Sequence, residues 1–81
     1  MENSRKVQIK TEFITLGQML KFVDLISSGS EQKMFIEKHK IFVDGIDTKM
    51  RGKKLYPGTK IKIDDSMLFE ITKWLLNILN Y

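Results

Sequence analysis

Residues 28–45 of the chain read SGSEQKMFIEKHKIFVDG, and this stretch decides the fold. Ser28 and Glu31 have the spacing of a capping box, in which two side chains satisfy free backbone groups at a helix start. An apolar strand follows the helix and ends at Asp44-Gly45, a dipeptide typical of two-residue hairpin turns. The stretch therefore predicts a helix that leads directly into a β-hairpin. One helix face comprises Gln32, Phe35, Ile36 and His39, and the strand begins with Ile41 and Val43.

A strand and a first helix precede this stretch. Apolar and polar residues alternate from Val7 to Phe13, which is the period of a half-buried strand. Thr15 and Gln18 then have the spacing of another capping box. The apolar stripe that follows has the spacing of one helix face and consists of Leu16, Met19, Leu20, Val23 and Ile26.

The residues after the hairpin turn predict further strands around a basic loop. We expect residues 46–48 to return as a short partner strand, and residues 50–55 to form the loop MRGKKL. A turn at residues 56–59 then precedes Lys60-Ile61-Lys62-Ile63, whose alternation predicts a strand with both lysines facing outward.

The end of the chain completes the prediction of one α+β domain. Residues 67–71 fit either a final strand or a helix, and residues 73–80 predict a short helix with an apolar side. We expect two helices packed on a small antiparallel sheet, with the domain at residues 1–71 and a helical tail at residues 72–81. A chain of 81 residues has room for one small domain.

Composition excludes several classes of protein. The chain is 42% hydrophobic and 30% charged, which is apolar enough to form a folded core. It has no cysteine, and therefore no disulfide, thiolate metal site or catalytic thiol. It shows no signal peptide and no apolar run of membrane-spanning length, so we expect a soluble, cytoplasmic protein.

Positive charge is concentrated in the middle of the chain. The net charge is +4, but positions 33–62 contain nine basic and three acidic residues, a difference of +6. Such clustering indicates a surface that binds a polyanion, and it equally fits a solvated face of a small domain. Charge alone leaves both interpretations open.

The order of these elements resembles the S4 RNA-binding domain family, which is known for an αL-type core. The family pattern has a serine at the start of its second helix, a Leu-Ile pair within that helix, Asn-Gly in the hairpin turn and Pro-Gly before a later strand. The corresponding positions in this chain are Ser28, Gln32 at the family's alanine, Phe35-Ile36, His39 at the family's glycine, Ile41, Val43, Asp44-Gly45, Pro57-Gly58 and Ile61.

Two further segments are similar to the small stand-alone S4-like proteins of the YaaA/YbcJ type. Residues 14–21 read ITLGQMLK, and residues 51–55 read RGKKL. The resemblance covers about residues 7–71. The chain departs from the family pattern at Gly29, where many S4 domains have an RNA-contacting arginine, and at Asp44, which stands in place of asparagine.

The strongest candidate site combines the start of the second helix with the basic loop. A helix N-terminus favours phosphate, arginine binds phosphate with two donors, and lysine supplies a point charge. If the sheet brings these segments together, they form one concave cationic surface for an A-form RNA backbone or a structured loop. The family resemblance implies ribosomal RNA or ribosomal particles as the target. The expected RNA-binding residues are Lys33, Lys49, Arg51, Lys53 and Lys54.

Catalytic and metal chemistry are not expected. His39 is the single histidine, and no set of carboxylates has the spacing to complete a metal site around it. The chain has no P-loop, no G-x-S-x-G motif and no His/Cys constellation. We therefore expect no enzyme activity, no cofactor and no small-molecule substrate.

The apolar tail supports an alternative function. The segment after Ile71 is longer and more apolar than the family resemblance implies, and so short a helix is stable only when it docks on something. It either packs on its own domain or serves as a protein-interaction or dimerisation module. In the second case the residues expected to mediate self-association are Trp74, Leu75, Ile78 and Leu79.

Overall fold

A computed structural model describes residues 4–74 of the chain, and the description below concerns these residues. They form two helices and seven strands, with a single turn of 3-10 helix at Gly29–Glu31 directly before the second α-helix. In chain order the elements are β1 (Ser4–Ile9), β2 (Ile14–Thr15), α1 (Leu16–Phe22), α2 (Gln32–Lys38), β3 (Ile41–Val43), β4 (Ile46–Asp47), β5 (Lys54–Leu55), β6 (Lys60–Ile63) and β7 (Met67–Lys73).

The main sheet has five strands in the order β1-β7-β6-β3-β4, and it is mixed. The pairs β3–β4, β3–β6 and β6–β7 are antiparallel, whereas β1 and β7 are parallel. The expectation of a purely antiparallel sheet is therefore wrong. A hairpin joins only antiparallel neighbours, but β1 and β7 are separated by both helices and the other strands, so nothing forces them to run in opposite directions.

The first strand is shorter than its alternating pattern predicts. β1 ends at Ile9, and the chain bends over the next residues before Ile14 begins β2. β2 pairs with β5 in a separate two-stranded sheet. The alternation of Thr11 and Phe13 with polar neighbours therefore does not continue the ladder, because the chain leaves the sheet before them.

The core lies between the helices and one face of the main sheet. Ile61 and Ile63 are buried while Lys60 and Lys62 are exposed, which confirms the predicted facing of β6. The apolar stripe predicted for the first helix is also buried, although α1 itself ends at Phe22. The buried hydrophobic residues are Val7, Ile9, Leu16, Met19, Leu20, Val23, Ile26, Ile36, Ile41, Val43, Leu55, Ile61, Ile63, Phe69 and Ile71.

Both predicted capping boxes form. The Thr15 hydroxyl accepts a hydrogen bond from Gln18 N at 3.2 Å, and the Gln18 side chain accepts one from Thr15 N at 3.0 Å. Before α2, the Glu31 carboxylate accepts hydrogen bonds from Ser27 N and Ser28 N. Local side chains therefore satisfy Thr15 N and Gln18 N at the start of α1, and Ser27 N and Ser28 N before α2, as the sequence spacing predicts.

Aspartates hold the tight turns of the sheet. Asp44 and Gly45 have φ angles of 50° and 84°, as a two-residue hairpin of matching twist requires. The β6–β7 turn contains Asp64 and Asp65, with φ angles of 53° and 57°. Aspartate tolerates this left-handed region better than most residues other than glycine, which explains its use in both turns.

The last described strand settles the open choice at residues 67–71 in favour of a strand. β7 continues to Lys73, so the helix expected at residues 73–80 is wrong at its first residue. Trp74 is not helical either, and the remainder of that predicted helix, residues 75–80, lies outside the described residues. The division into a domain at residues 1–71 and a tail at residues 72–81 stays a prediction, and β7 passes through the proposed boundary.

Asp64 connects the end of α2 to the β6–β7 turn. Its carboxylate hydrogen-bonds to His39 Nδ1 and accepts a second hydrogen bond from Lys40 N at 2.9 Å. These two interactions, with the one from His39 larger, hold the pKa of Asp64 below its ordinary value of 3.8. The Lys6 ammonium likewise holds the pKa of Glu70 below its ordinary value across the β1–β7 pair.

We expect this arrangement to make the fold sensitive to acid. A carboxyl group whose pKa is lower in the folded than in the unfolded chain stabilises the fold above its unfolded pKa, and this contribution disappears as pH falls through the folded pKa. Urea unfolding at a series of pH values should therefore show the free energy of unfolding falling below about pH 4. Asp64→Asn should make that decline shallower, and an unchanged pH dependence in this variant would contradict the assignment.

Candidate nucleic-acid interface

The basic loop between β4 and β5 is attached to the start of α1. Leu16 N donates a hydrogen bond to Lys53 O, and Gly17 N donates one to Arg51 O, both at 2.9 Å. The first N–H groups of a helix have no partner within the helix, so they require an acceptor from elsewhere. The loop backbone supplies these acceptors, and its position is fixed by α1 as a result.

Gly17 also brings the start of α2 to the same place. A Cβ atom at this position would lie 2.2 Å from Gln32 Oε1, so only glycine leaves room for the Gln32 side chain as it stands. Gln32 is the first residue of α2, and Lys33 follows it with an exposed side chain. The loop, the start of α1 and the start of α2 therefore meet at Gly17, which is the juxtaposition that the candidate site requires.

Three of the five predicted RNA-binding residues have free cationic groups. The side chains of Lys33, Arg51 and Lys53 are exposed and make no hydrogen bond or ion pair with any part of residues 4–74. Lys54 is also exposed, and its Nζ lies 4.8 Å from the centre of the Phe13 ring. These four residues are available to a ligand without first breaking an ion pair within the described chain.

Lys49 differs from the other four because its ammonium already has partners in the protein. Lys49 Nζ donates hydrogen bonds to Ile36 O at 3.1 Å and to His39 O at 3.0 Å. These carbonyls lie at the end of α2, where the helix dipole favours a cation. Lys49 thus has a structural role that its place in a basic segment did not indicate.

The N–H groups before α2 are less available to phosphate than the sequence suggests. The Glu31 carboxylate occupies those of Ser27 and Ser28 and adds a negative charge to the helix start. A phosphate at this end of α2 would therefore be bound by the lysine side chain at position 33 rather than by those backbone donors.

Two aspartates near the loop have different roles. Asp44 Oδ1 accepts a hydrogen bond from Lys60 N at 2.9 Å, and Asp44 N donates one to Lys60 O. The aspartate found in place of the family's asparagine therefore joins the hairpin turn to β6. Asp47 is exposed like Asp44 but forms no side-chain hydrogen bond within residues 4–74.

His39 lies directly after α2, and its side chain contacts Phe35 and Asp64. Its ring stacks on Phe35 at a centroid distance of 4.0 Å, and its Nδ1 hydrogen-bonds to Asp64. No group of three histidine, cysteine or acidic side chains converges on a metal position among residues 4–74. In the same part of the chain, no helix is long and apolar enough to cross a membrane.

Comparison with known proteins identifies the family. A model of the S4 domain matches residues 7–72, which is most of the chain. The chain belongs to the S4 domain family. It is 40% identical over 65 residues to a Bacillus subtilis (strain 168) protein named "Probable ribosome maturation protein RlbA". That similarity covers 80% of this chain and 92% of the relative.

An aromatic pair beside the basic loop of this S4 domain was not predicted as part of the site. The rings of Phe13 and Tyr56 lie 5.7 Å apart between centroids at an interplanar angle of 50°, and Lys54 contacts the Phe13 ring. Neither aromatic residue lies in the basic loop, so the concentration of charge that marks the loop did not indicate them. The pairing of β2 with β5, which brings Ile14 opposite Leu55, places them side by side.

The contacts of Lys49 predict a loss of stability when its charge is removed. Lys49→Met keeps the aliphatic stem but leaves Ile36 O and His39 O without this donor, and we expect the free energy of unfolding to fall by about 1 kcal/mol. Lys53→Met is the matched control, because Lys53 has the same charge and no such partner among the described residues. Equal effects of the two substitutions in urea unfolding would contradict the capping role.

Proposed function

We propose that this S4 domain binds structured RNA, specifically ribosomal RNA or ribosomal particles in the cytoplasm, and that it does so without catalysing a reaction. The observation that carries the proposal is the attachment of the basic loop to α1 through Leu16 N and Gly17 N. This attachment presents Arg51 and Lys53 on a backbone fixed in the free protein. Binding then requires little additional ordering of the loop, which lowers its entropic cost.

The proposed contacts are mainly with phosphates. Lys33, Arg51, Lys53 and Lys54 are all exposed cations, and arginine can donate two parallel hydrogen bonds to one phosphate. Phosphate contacts fix the position of a protein on RNA but carry little sequence information. Selectivity would then come from the shape of a folded RNA, which sets the spacing of the phosphates that these side chains reach.

The ribosomal target is supported by the similarity to the Bacillus subtilis relative, which is named as a probable ribosome maturation protein. The residues proposed to bind RNA are Lys33, Lys49, Arg51, Lys53 and Lys54. Apart from Lys49, which is bound to backbone carbonyls, each has a cationic group that forms no ion pair within residues 4–74. We expect Lys49 to contribute through its charge at the end of α2 as well as through its support of that helix.

A salt titration of binding to ribosomal RNA fragments tests the proposal. The logarithm of the binding constant falls linearly with the logarithm of salt concentration, with a slope per neutralised phosphate of roughly −0.7 on a single strand and roughly −0.9 on a B-form duplex. Replacing Arg51, Lys53 and Lys54 by Ala removes three of the proposed contacts. We expect weaker binding at low salt and a slope smaller in magnitude by about 2.

The matched control removes the same number of positive charges from the opposite edge of the main sheet. Arg5 and Lys10 lie in or just after β1, the edge strand opposite β4, and Lys73 ends the neighbouring β7. Replacing these three residues by Ala also removes one arginine and two lysines, and we expect it to change the slope by much less. Equal slopes for the two triple variants would contradict a localised site and indicate diffuse attraction by net charge.

A second candidate function is self-association through the apolar tail. Trp74, a tail residue that directly follows β7, is 37% exposed, and Lys10 Nζ lies 4.8 Å from its ring centre. The other proposed contact residues, Leu75, Ile78 and Leu79, lie outside the described residues. Truncation after Trp74 keeps all of β7, and we expect it to lower the oligomeric mass in sedimentation experiments while RNA binding persists. An unchanged mass would contradict this function.

A further inference from the structure

Three exposed apolar side chains line one hollow beside the basic loop. Ile46 is 71% exposed, Met50 is 65% exposed and Tyr56 is 46% exposed, and all three border the space between the β3–β4 hairpin and the β4–β5 loop. Single exposed apolar residues are ordinary on protein surfaces, but a group that shares one concavity marks a binding site. A hollow lined in this way favours a ligand with an apolar or aromatic surface.

The same hollow is lined by Lys53 and Lys54. Lys53 has no partner among the described residues, and Lys54 contacts the Phe13 ring rather than a carboxylate. Although Asp44 and Asp47 also line the hollow, its lysine side favours an occupant that presents negative charge next to its apolar surface. An apolar peptide segment satisfies only the first requirement, whereas a nucleotide satisfies both with its base and its phosphates.

Tyr56 is positioned to act as a stacking platform. Phe13 packs against its ring at a centroid distance of 5.7 Å, which restricts the ring orientation, yet nearly half of the residue is exposed. The turn that carries it is closed by hydrogen bonds from Tyr56 N to Thr59 Oγ1 and from Thr59 N to Tyr56 O. An aromatic ring held in this way can stack on any of the four bases.

We propose that the hollow binds a single unpaired nucleotide of the RNA, with its base against Tyr56, Ile46 and Met50 and its phosphates at Lys53 and Lys54. This inference rests on the proposed RNA-binding function and adds to it a preference for RNA in which a base is displaced from a helix. The proposed phosphate contacts position the RNA helix on the protein. The hollow then favours RNA in which an unpaired base next to that helix can enter the hollow.

Asp47 gives the hollow a preference among the bases. It lines the same space, and its carboxylate forms no hydrogen bond within residues 4–74. A carboxylate accepts hydrogen bonds and repels phosphate, so it favours a base edge with N–H donors. Guanine presents adjacent ring and exocyclic N–H groups on one edge, and a bulged guanosine is therefore the most informative probe.

The test compares two RNA hairpins that differ only in a base. One carries a single bulged guanosine, and the other carries an abasic nucleotide at the same position, so that both have the same number of phosphates. Because a base gains affinity by stacking on an aromatic side chain, we expect about tenfold tighter binding of the hairpin with the guanosine. Equal binding of the two hairpins would overturn the inference.

Tyr56→Ser tests the assignment to this hollow. We expect the variant to lose the tenfold preference while it binds the abasic hairpin as the unaltered chain does, which also shows that it is folded. Phe22→Ser is the matched control, because Phe22 is an aromatic residue that is 60% exposed on α1 and does not line the hollow. A preference retained in Tyr56→Ser, or lost equally in Phe22→Ser, would overturn the assignment.

The two proposals fail in different ways in this experiment. If the unaltered chain binds neither hairpin nor ribosomal RNA fragments, the RNA-binding function itself is wrong, and this inference falls with it. If it binds both hairpins equally and with the salt dependence expected of the basic loop, the RNA-binding function stands and only the nucleotide-binding hollow is wrong.

Discussion

Two hydrogen bonds, from Leu16 N and Gly17 N to the carbonyls of Lys53 and Arg51, organise the functional side of this protein. They arise from a constraint common to all helices, whose first N–H groups need acceptors from outside. Here the acceptors come from a distant loop instead of from water. The loop is consequently held against α1, and because Gly17 also accommodates Gln32, the start of α2 is held in the same place.

The groups that stabilise the loop and the core are largely different from the side chains proposed to bind RNA. The loop is fixed by its backbone carbonyls, so the side chains of Arg51 and Lys53 are not required to hold it and remain exposed to a ligand. The hydrophobic core is built from other residues, on the inner faces of the sheet and helices. Lys49 is the exception among the loop cations, because its ammonium supports the end of α2.

Local features of the fold could be predicted from the sequence, and long-range partners could not. The capping box of Thr15 and Gln18 and the alternation of Lys60–Ile63 depend on residues that are close together in the chain, and both were predicted correctly. The parallel pairing of β1 with β7 and the bonds of Lys49 join distant segments through backbone groups, which every residue type carries. The basic loop was recognisable by charge, but the hollow beside it depends on which strands pair.

The parallel pairing of the first and last described strands also determines when the fold can form during protein synthesis. Partners in this pair, such as Lys6 and Glu70, are 64 positions apart, so β1 emerges from the ribosome long before β7 exists. Contacts of such high sequence separation form late and slow the folding of small domains. The nascent chain therefore exposes the apolar side of β1, with Val7 and Ile9, until β7 has been synthesised, and the five-stranded sheet is completed only after translation of almost the whole domain.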